Sequence, residues 1–227
     1  MKIPFVLKRS KPGVGRVDMG DLRRNEPLSA SWGSDRGQPI DRYYIERFLS
    51  KHAADLRGRC LEAAEPRYTE QFGAGRITTT DVLHRDQGNP GGTLVEDIAQ
   101  PDRFPERAFT CVVLTQVLQY VFDLSRAVET LHRVLEPGGV LLATIPAISP
   151  IDQNDWDGPW LWTFTELAVA RLFRTHFAAG NLTIETYGNL LAASAFLHGM
   201  AAGELEAKEL DLVDGRYPMV IGVRAVK

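Results

Sequence analysis

Between Ser149 and Trp162 the chain reads S-P-I-D-Q-N-D-W-D-G-P-W-L-W, three aspartates among three tryptophans. Indoles stack on apolar ring faces and carboxylates accept hydroxyl protons, a combination suited to a sugar or another polar ring. Asp152, Trp156 and Trp160 are therefore candidate substrate contacts, and Asp155 is a candidate catalytic base. The plainer alternative is a loop whose indoles plug a cap while its carboxylates stay solvated. His84 and His198 are the other candidate bases, since imidazole titrates near neutrality. His52 and His132 fall at or within expected helices and read as structural or surface residues. Adjacent Tyr43 and Tyr44 cannot both face a core from one helix. Tyr44 shares the apolar stripe, which leaves Tyr43 for a ligand. Tyr187, at the end of an expected strand, joins the substrate candidates. No His/Cys/Asp grouping has metal-ligand spacing, and neither a Gly-x-Ser-x-Gly elbow nor a phosphate loop occurs in the sequence.

These groups need elements to position them. Ile40, Tyr44, Ile45, Phe48 and Leu49 recur at helical spacing, which predicts an amphipathic helix over 39–52 with Pro39 in its first turn. Gly58 precedes a first strand at 59–64, and segments 76–83 and 93–98 follow. Phe109–Leu114 is apolar on both faces, as a central parallel strand covered by helices requires. Asp123 is the expected N-cap of a helix with a buried stripe of Leu124, Ala127, Val128, Leu131, Val134 and Leu135, ended by Pro137-Gly138-Gly139. A strand at 140–145 comes next. A capping box at Thr163–Glu166 opens a helix to about Phe177. A strand at 182–187, a helix at 189–209 and a strand at 219–226 complete the pattern. The alternation predicts an α/β fold, its sheet mostly parallel with one antiparallel terminal strand. Residues 1–38 are expected to form an extended basic arm, and 39–227 a single domain with a cap formed by 146–165.

The 227 residues, 44% hydrophobic and 24% charged, suit one globular core and exclude a collagen-like or wholly disordered chain. No run approaches the roughly 18 apolar residues of a membrane span. The start, M-K-I-P-F-V-L-K-R-S-K-P-G-V-G-R, lacks the apolar centre of a secretory signal. Cys60 and Cys111 lie in apolar runs and are expected as buried free thiols, which suits a cytoplasmic location. A net charge of −3 implies no general affinity for nucleic acid. Residues 1–24 nevertheless hold seven Lys and Arg against two Asp. That arm reads either as a solvated tail or as a strap on an acidic body or partner.

The block F-P-E-R-A-F-T-C-V-V-L-T-Q-V-L-Q-Y-V-F-D, followed by L-S-R-A-V-E-T-L-H-R-V-L-E-P-G-G-V-L-L-A-T-I-P, covers residues 104–146. It resembles the second half of the class I S-adenosylmethionine (SAM)-dependent methyltransferase domain, type 11-like, and the likeness extends in order over about 56–190. The resemblance implies a Rossmann-like sheet and SAM as cofactor. Carried over by position, it puts Glu62 at the end of the first strand, near the SAM amino group. Asp81 and Val82 end the second strand, at the ribose hydroxyls. Asp97 and Ile98 end the third, at the adenine amine. Thr115 and Gln116 end the fourth, at the reactive end. All fall on the carboxyl edge of a parallel sheet, where α/β folds bind ligands. The implied reaction is methyl transfer to a hydroxyl or amine of a small molecule, such as a sugar or secondary metabolite. The stretches R-G-Q-P-I-D-R-Y-Y-I-E-R-F-L and T-Y-G-N-L-L-A-A-S-A-F-L-H-G are similar to bacterial methyltransferase-like proteins associated with glycosyltransferase or secondary-metabolite systems. A glycosyltransferase partner, a homodimer, no nucleic acid and no membrane complete the expectations.

The family's first-strand loop is acidic-x-Gly-x-Gly-x-Gly. Here the three glycine positions are Ala64, Pro66 and Tyr68. A Cβ at Ala64 strains a positive φ, Pro66 has no N–H, and Tyr68 brings a ring toward the expected ligand. Three outcomes stay open. SAM is held by a remodelled loop, with Ala64 and Tyr68 packing beside it. The cleft takes another ligand for another reaction. Or side chains fill the pocket of a non-catalytic partner subunit.

Overall fold

The computed structural model describes residues 11–85, 91–153 and 158–227. Seven strands form one sheet in the order β3-β2-β1-β4-β5-β7-β6. β1 (Gly58–Ala63), β2 (Ile77–His84), β3 (Leu94–Val95), β4 (Phe109–Thr115) and β5 (Leu135–Pro146) are parallel. β7 (Val220–Val226) inserts antiparallel between β5 and β6 (Leu182–Tyr187). This is the mostly parallel sheet with an antiparallel terminal strand that the alternation of elements implied, in the Rossmann-like arrangement that the resemblance implied.

Side chains alternate across each strand, so the sheet builds two cores. Leu61, Val112, Leu114, Leu141 and Ala143 pack against α3 (Leu124–Val134) and α4 (Glu166–Phe173). Cys60, Cys111, Val113, Val140 and Leu142 face the other way, toward α1 (Ile40–Lys51), α2 (Arg67–Gly73), α5 (Leu190–Leu197) and α6 (Ala207–Leu210). Cys60 and Cys111 stand opposite each other on β1 and β4 as buried free thiols. Asp123 caps α3 by accepting the N–H of Arg126 at 3.0 Å.

Three expectations need correction. The helix expected over 189–209 stops at Leu197, because Gly199 turns at φ +73 against the arm. A Cβ there would lie 2.2 Å from the Ser29 carbonyl oxygen, so only glycine permits this contact. Leu135 opens β5 rather than closing α3, and Pro137–Gly139 turn inside that strand opposite a register shift between Phe109 and Cys111. α4 is capped by Thr165, not Thr163, and ends at Phe173. Among the described residues no helix is long and apolar enough to cross a membrane.

Candidate functional site

The chain builds β1, β2 and β3 outward on one side, then returns to place β4 on the other side of β1. The loops leaving β1 and β4 diverge at this switch point and open a crevice at the carboxyl edge. A cleft of about 480 Å³ lies there, within the size range of small-molecule sites. Ala63 and Ala64 follow β1 on its wall. Leu83, His84 and Arg85 come from the end of β2, and Glu96, Asp97, Ile98 and Ala99 from the segment after β3. Val117, Tyr120, Val121, Phe122 and Asp123 follow β4, and Pro159 and Leu161 come from the loop after β5.

The first-strand loop keeps a glycine-like turn without glycine. Ala64 has φ +70, a left-handed conformation that costs a non-glycine residue about 1–2 kcal/mol. Its N–H donates to the Leu83 carbonyl at 3.0 Å, and the Glu65 N–H donates to Ala63 at 3.0 Å. Such strain persists where neighbouring contacts dictate it, and it clusters at ligand sites. Tyr68 does not plug the cleft. It is buried on the α1 side, stacked on Phe72, and its hydroxyl accepts from Arg42 Nη1 at 2.8 Å. Burial pushes the pKa of this phenol up.

Glu62 lies on the Cys60 face of β1, opposite the face of Leu61 and Ala63. Its carboxylate accepts the N–H groups of Tyr68 and Thr69, both at 2.8 Å, and the Thr69 hydroxyl at 2.7 Å. It therefore caps the first turn of α2 and does not line the cleft. Burial raises its pKa, against the pull of these hydrogen bonds. Asp81 does not end β2, which runs on to His84. It accepts from Arg59 Nε at 2.7 Å and from the Thr93 hydroxyl at 3.3 Å. Val82 is buried behind it. His84 occupies the strand end instead, on the cleft wall, with Nε2 buried and without a hydrogen-bond partner among the described residues. Asp97 Oδ1 accepts the N–H of Ala99 at 2.8 Å, a local turn that shapes the wall at Ile98 and Ala99.

Thr115 and Gln116 stand just behind the cleft, and Val117 is the first residue of that loop to line it. Gln116 has φ +55, its N–H donates to Thr144 at 2.9 Å, and its Nε2 is buried without a partner among the described residues. The loop after β5 folds onto the loop after β4. The Leu161 N–H donates to Gln119 at 2.8 Å, and Trp162 Nε1 to Val121 at 2.9 Å. Trp160 meets Tyr120 edge-on at 5.5 Å, with its indole nitrogen buried and without a hydrogen-bond partner among the described residues. Asp152 is half-buried and off the cleft wall. Asp155 and Trp156 lie outside the described residues.

The cleft thus brings together Ala64, His84, Asp97 and Ile98 from the expected set. Beyond those already placed off its wall, three more sit elsewhere. Tyr43 donates to Asp211 Oδ1 at 2.6 Å, beside α6. Tyr187 packs on Tyr44 and Phe48 and donates to Glu185 at 3.0 Å. The His198 ring nitrogens face the carbonyls of Ser194 at 2.8 Å and Leu22 at 3.1 Å, holding the arm to the end of α5. Sequence reasoning missed Glu96, Tyr120 and Phe122. Their signal was position, directly after β3 and β4.

Residues 52–143 match the family described as a methyltransferase domain. This match and the structural likenesses below support a class I methyltransferase-like fold. Its fold is similar to that of a SAM dependent methyltransferase from Archaeoglobus fulgidus, with TM-score 0.54 and 9% identity over 82% of this chain and 94% of that one. It is also similar to an S-adenosylmethionine dependent methyltransferase from Mesorhizobium loti, with TM-score 0.52 and 17% identity over 83% and 98% of the two chains. A human mitochondrial protein named arginine-hydroxylase NDUFAF5 is 30% identical over 131 residues. That match spans 55% of this chain and 30% of the human protein.

Proposed function

We propose that this methyltransferase-like chain binds SAM in the carboxyl-edge cleft and directs its methyl group to a hydroxyl or amine of a small molecule. The observation that carries the reading is the open cleft at the switch point, whose first loop holds a left-handed turn at Ala64 despite the Cβ. The residues present fit an adenosyl group. Leu83, Ile98 and Val117 offer apolar faces to a planar base, and Asp97 offers a carboxylate to an exocyclic amine. His84 Nε2 needs a partner, which a ribose hydroxyl would supply. Glu62 is read as the support of the loop.

SAM, when bound, supplies a methyl on a sulfonium leaving group. The chain's part is to hold an acceptor in line with that methyl and to exclude water. Tyr120, Phe122 and Leu161 form the mouth of the cleft and suit the ring of a sugar or secondary metabolite. Crystals grown with S-adenosylhomocysteine test the reading. Density with the adenine beside Asp97 and the thioether toward Gln116 supports it, and a ligand bound elsewhere rejects it.

A second reading has one observation in its favour. Glu62 has taken up two amides of the α2 turn, so the loop serves the amino-acid half of SAM less well than the adenosyl half. On that reading the cleft hosts another reaction, or the chain supports a partner such as a glycosyltransferase. The name of the human relative, a hydroxylase, is chemistry other than methyl transfer. No binding of SAM or S-adenosylhomocysteine at millimolar concentration to the folded chain would favour it.

A further inference from the structure

His198, which follows the last turn of α5, is half-buried and touches the N-terminal arm. Its Nδ1 lies 2.8 Å from the Ser194 carbonyl oxygen, and its Nε2 lies 3.1 Å from that of Leu22. A carbonyl oxygen only accepts, so both ring nitrogens have to donate to make both bonds. The imidazolium carries two N–H groups and the neutral ring carries one. When a proton leaves, the remaining N–H stays with Ser194, the shorter contact and part of the same helical turn. The Nε2 lone pair then faces the Leu22 oxygen, and a charge-assisted hydrogen bond becomes a repulsion between two acceptors. Imidazole is the side chain whose charge ordinarily changes near neutrality.

From Leu28 onward the arm is held by groups of another kind. The Leu28 N–H donates to the His198 carbonyl at 2.7 Å, and the Ala202 N–H donates to Gln38 at 2.7 Å. Gly33 lies so close to the Met200 carbonyl oxygen that a Cβ would stand 2.7 Å from it. Arg36 forks onto Glu204, and its hydrogen bonds hold that carboxyl below the ordinary glutamate range, so the pair keeps its charges through neutrality. The other charged side chains on the facing elements are Asp21, Arg23, Arg24 and Glu26 of the arm, while α5 itself has none. Carboxylates and guanidinium groups ordinarily titrate far from neutrality. Arg23, Arg24 and Arg36 line a hollow beside Met200 and Glu204, with Leu22 in its wall. We propose that His198 is a protonation-dependent latch: the imidazolium holds the arm at Leu22, and the neutral ring releases it while Leu28 and the residues after it stay in place. Release takes Arg23 and Arg24 away from the hollow, so its cationic wall is complete only with the latch closed. The latch is independent of what the carboxyl-edge cleft binds.

Limited trypsin digestion of the full chain, read by mass spectrometry, tests the latch. Trypsin cuts after Arg23 and Arg24, within the part that is released, and after Arg36, within the part that is not. A free peptide of residues 18–28 digested alongside corrects for the protease's own pH dependence. Between about pH 5.5 and about pH 8, corrected cleavage after Arg23 and Arg24 should rise about fivefold, the worth of one hydrogen bond, while cleavage after Arg36 stays within about twofold. His198→Asn offers an amide that does not titrate, so its cleavage after Arg23 and Arg24 should be fast at both pH values, with a flat profile. Equal cleavage of the unaltered chain at the two pH values, an equal rise after Arg36, or a His198→Asn profile that still rises with pH overturns the proposal. If His198→Asn does not fold, the comparison of the two cleavage regions in the unaltered chain decides alone.

Discussion

Removing the Glu62 carboxylate tells a scaffold residue from a ligand contact. The side chain is 2% exposed and accepts three hydrogen bonds, two from the amides that open α2 and one from the Thr69 hydroxyl. Glu62→Ala leaves the two amides buried without an acceptor, at about 1–3 kcal/mol each for a group left unpaired, while the Thr69 hydroxyl keeps the Pro66 carbonyl at 3.1 Å. Part of that is offset because a charge no longer has to be buried, the effect that raises the Glu62 pKa. A net loss of about 3 kcal/mol is expected, and about half of it for Glu62→Gln, which keeps one acceptor oxygen. At about 2–4 °C per kcal/mol for a chain of this size, Glu62→Ala should melt about 6–12 °C lower. The pH dependence has a definite sign. A carboxyl whose folded pKa is raised favours folding while protonated and loses that contribution as pH rises from its unfolded value through its folded one. The penalty of Glu62→Gln should therefore be larger near about pH 4 than near about pH 7. Urea unfolding and thermal melts measure both effects. A loss below about 0.5 kcal/mol, together with a tenfold drop in S-adenosylhomocysteine affinity, would refute the reasoning and put Glu62 against the ligand.

Ala64→Val should destabilise by about 1–2 kcal/mol, since a β-branched residue tolerates φ +70 worse than alanine. Ala64→Gly should stay within about 1 kcal/mol of the parent in urea and bind S-adenosylhomocysteine at least as tightly, so the reverse order of the two variants contradicts the turn assignment. Asp97→Ala should weaken S-adenosylhomocysteine about tenfold by calorimetry, and unchanged affinity would remove Asp97 from the site. Hydrogen bonds from Arg216 hold the Asp214 carboxyl down at about 2. The contribution to stability is present above the ordinary aspartate pKa and fades as pH falls toward about 2. An NMR titration should show that midpoint and its rise in Arg216→Gln, and a midpoint that does not move rejects the pairing.

The sheet was legible because its signals are local. The two-faced apolar runs at Phe109–Leu114 and Val140–Ile145, and the cap at Asp123, need no distant partner to be read. The helix break at Gly199 was not legible, because it depends on Ser29, far away in sequence. Asp81 was placed too near a strand end because β2 is prolonged by pairing of Leu83 and His84 with β3, a non-local gain. At the site, the left-handed Ala64 and the turn at Asp97 follow from order along the chain. The facing of Glu62 hinges on strand alternation in a short run, Arg59–Ala64, whose apolar residues fall on both faces and show no alternating pattern.

Calorimetric titration of SAM and S-adenosylhomocysteine into the chain tests the central claim most directly. Saturable one-to-one binding in the micromolar range, weakened by His84→Ala and by Asp97→Ala, is the predicted result. No heat from either compound at millimolar concentration would contradict an adenosyl site at the carboxyl edge of this sheet.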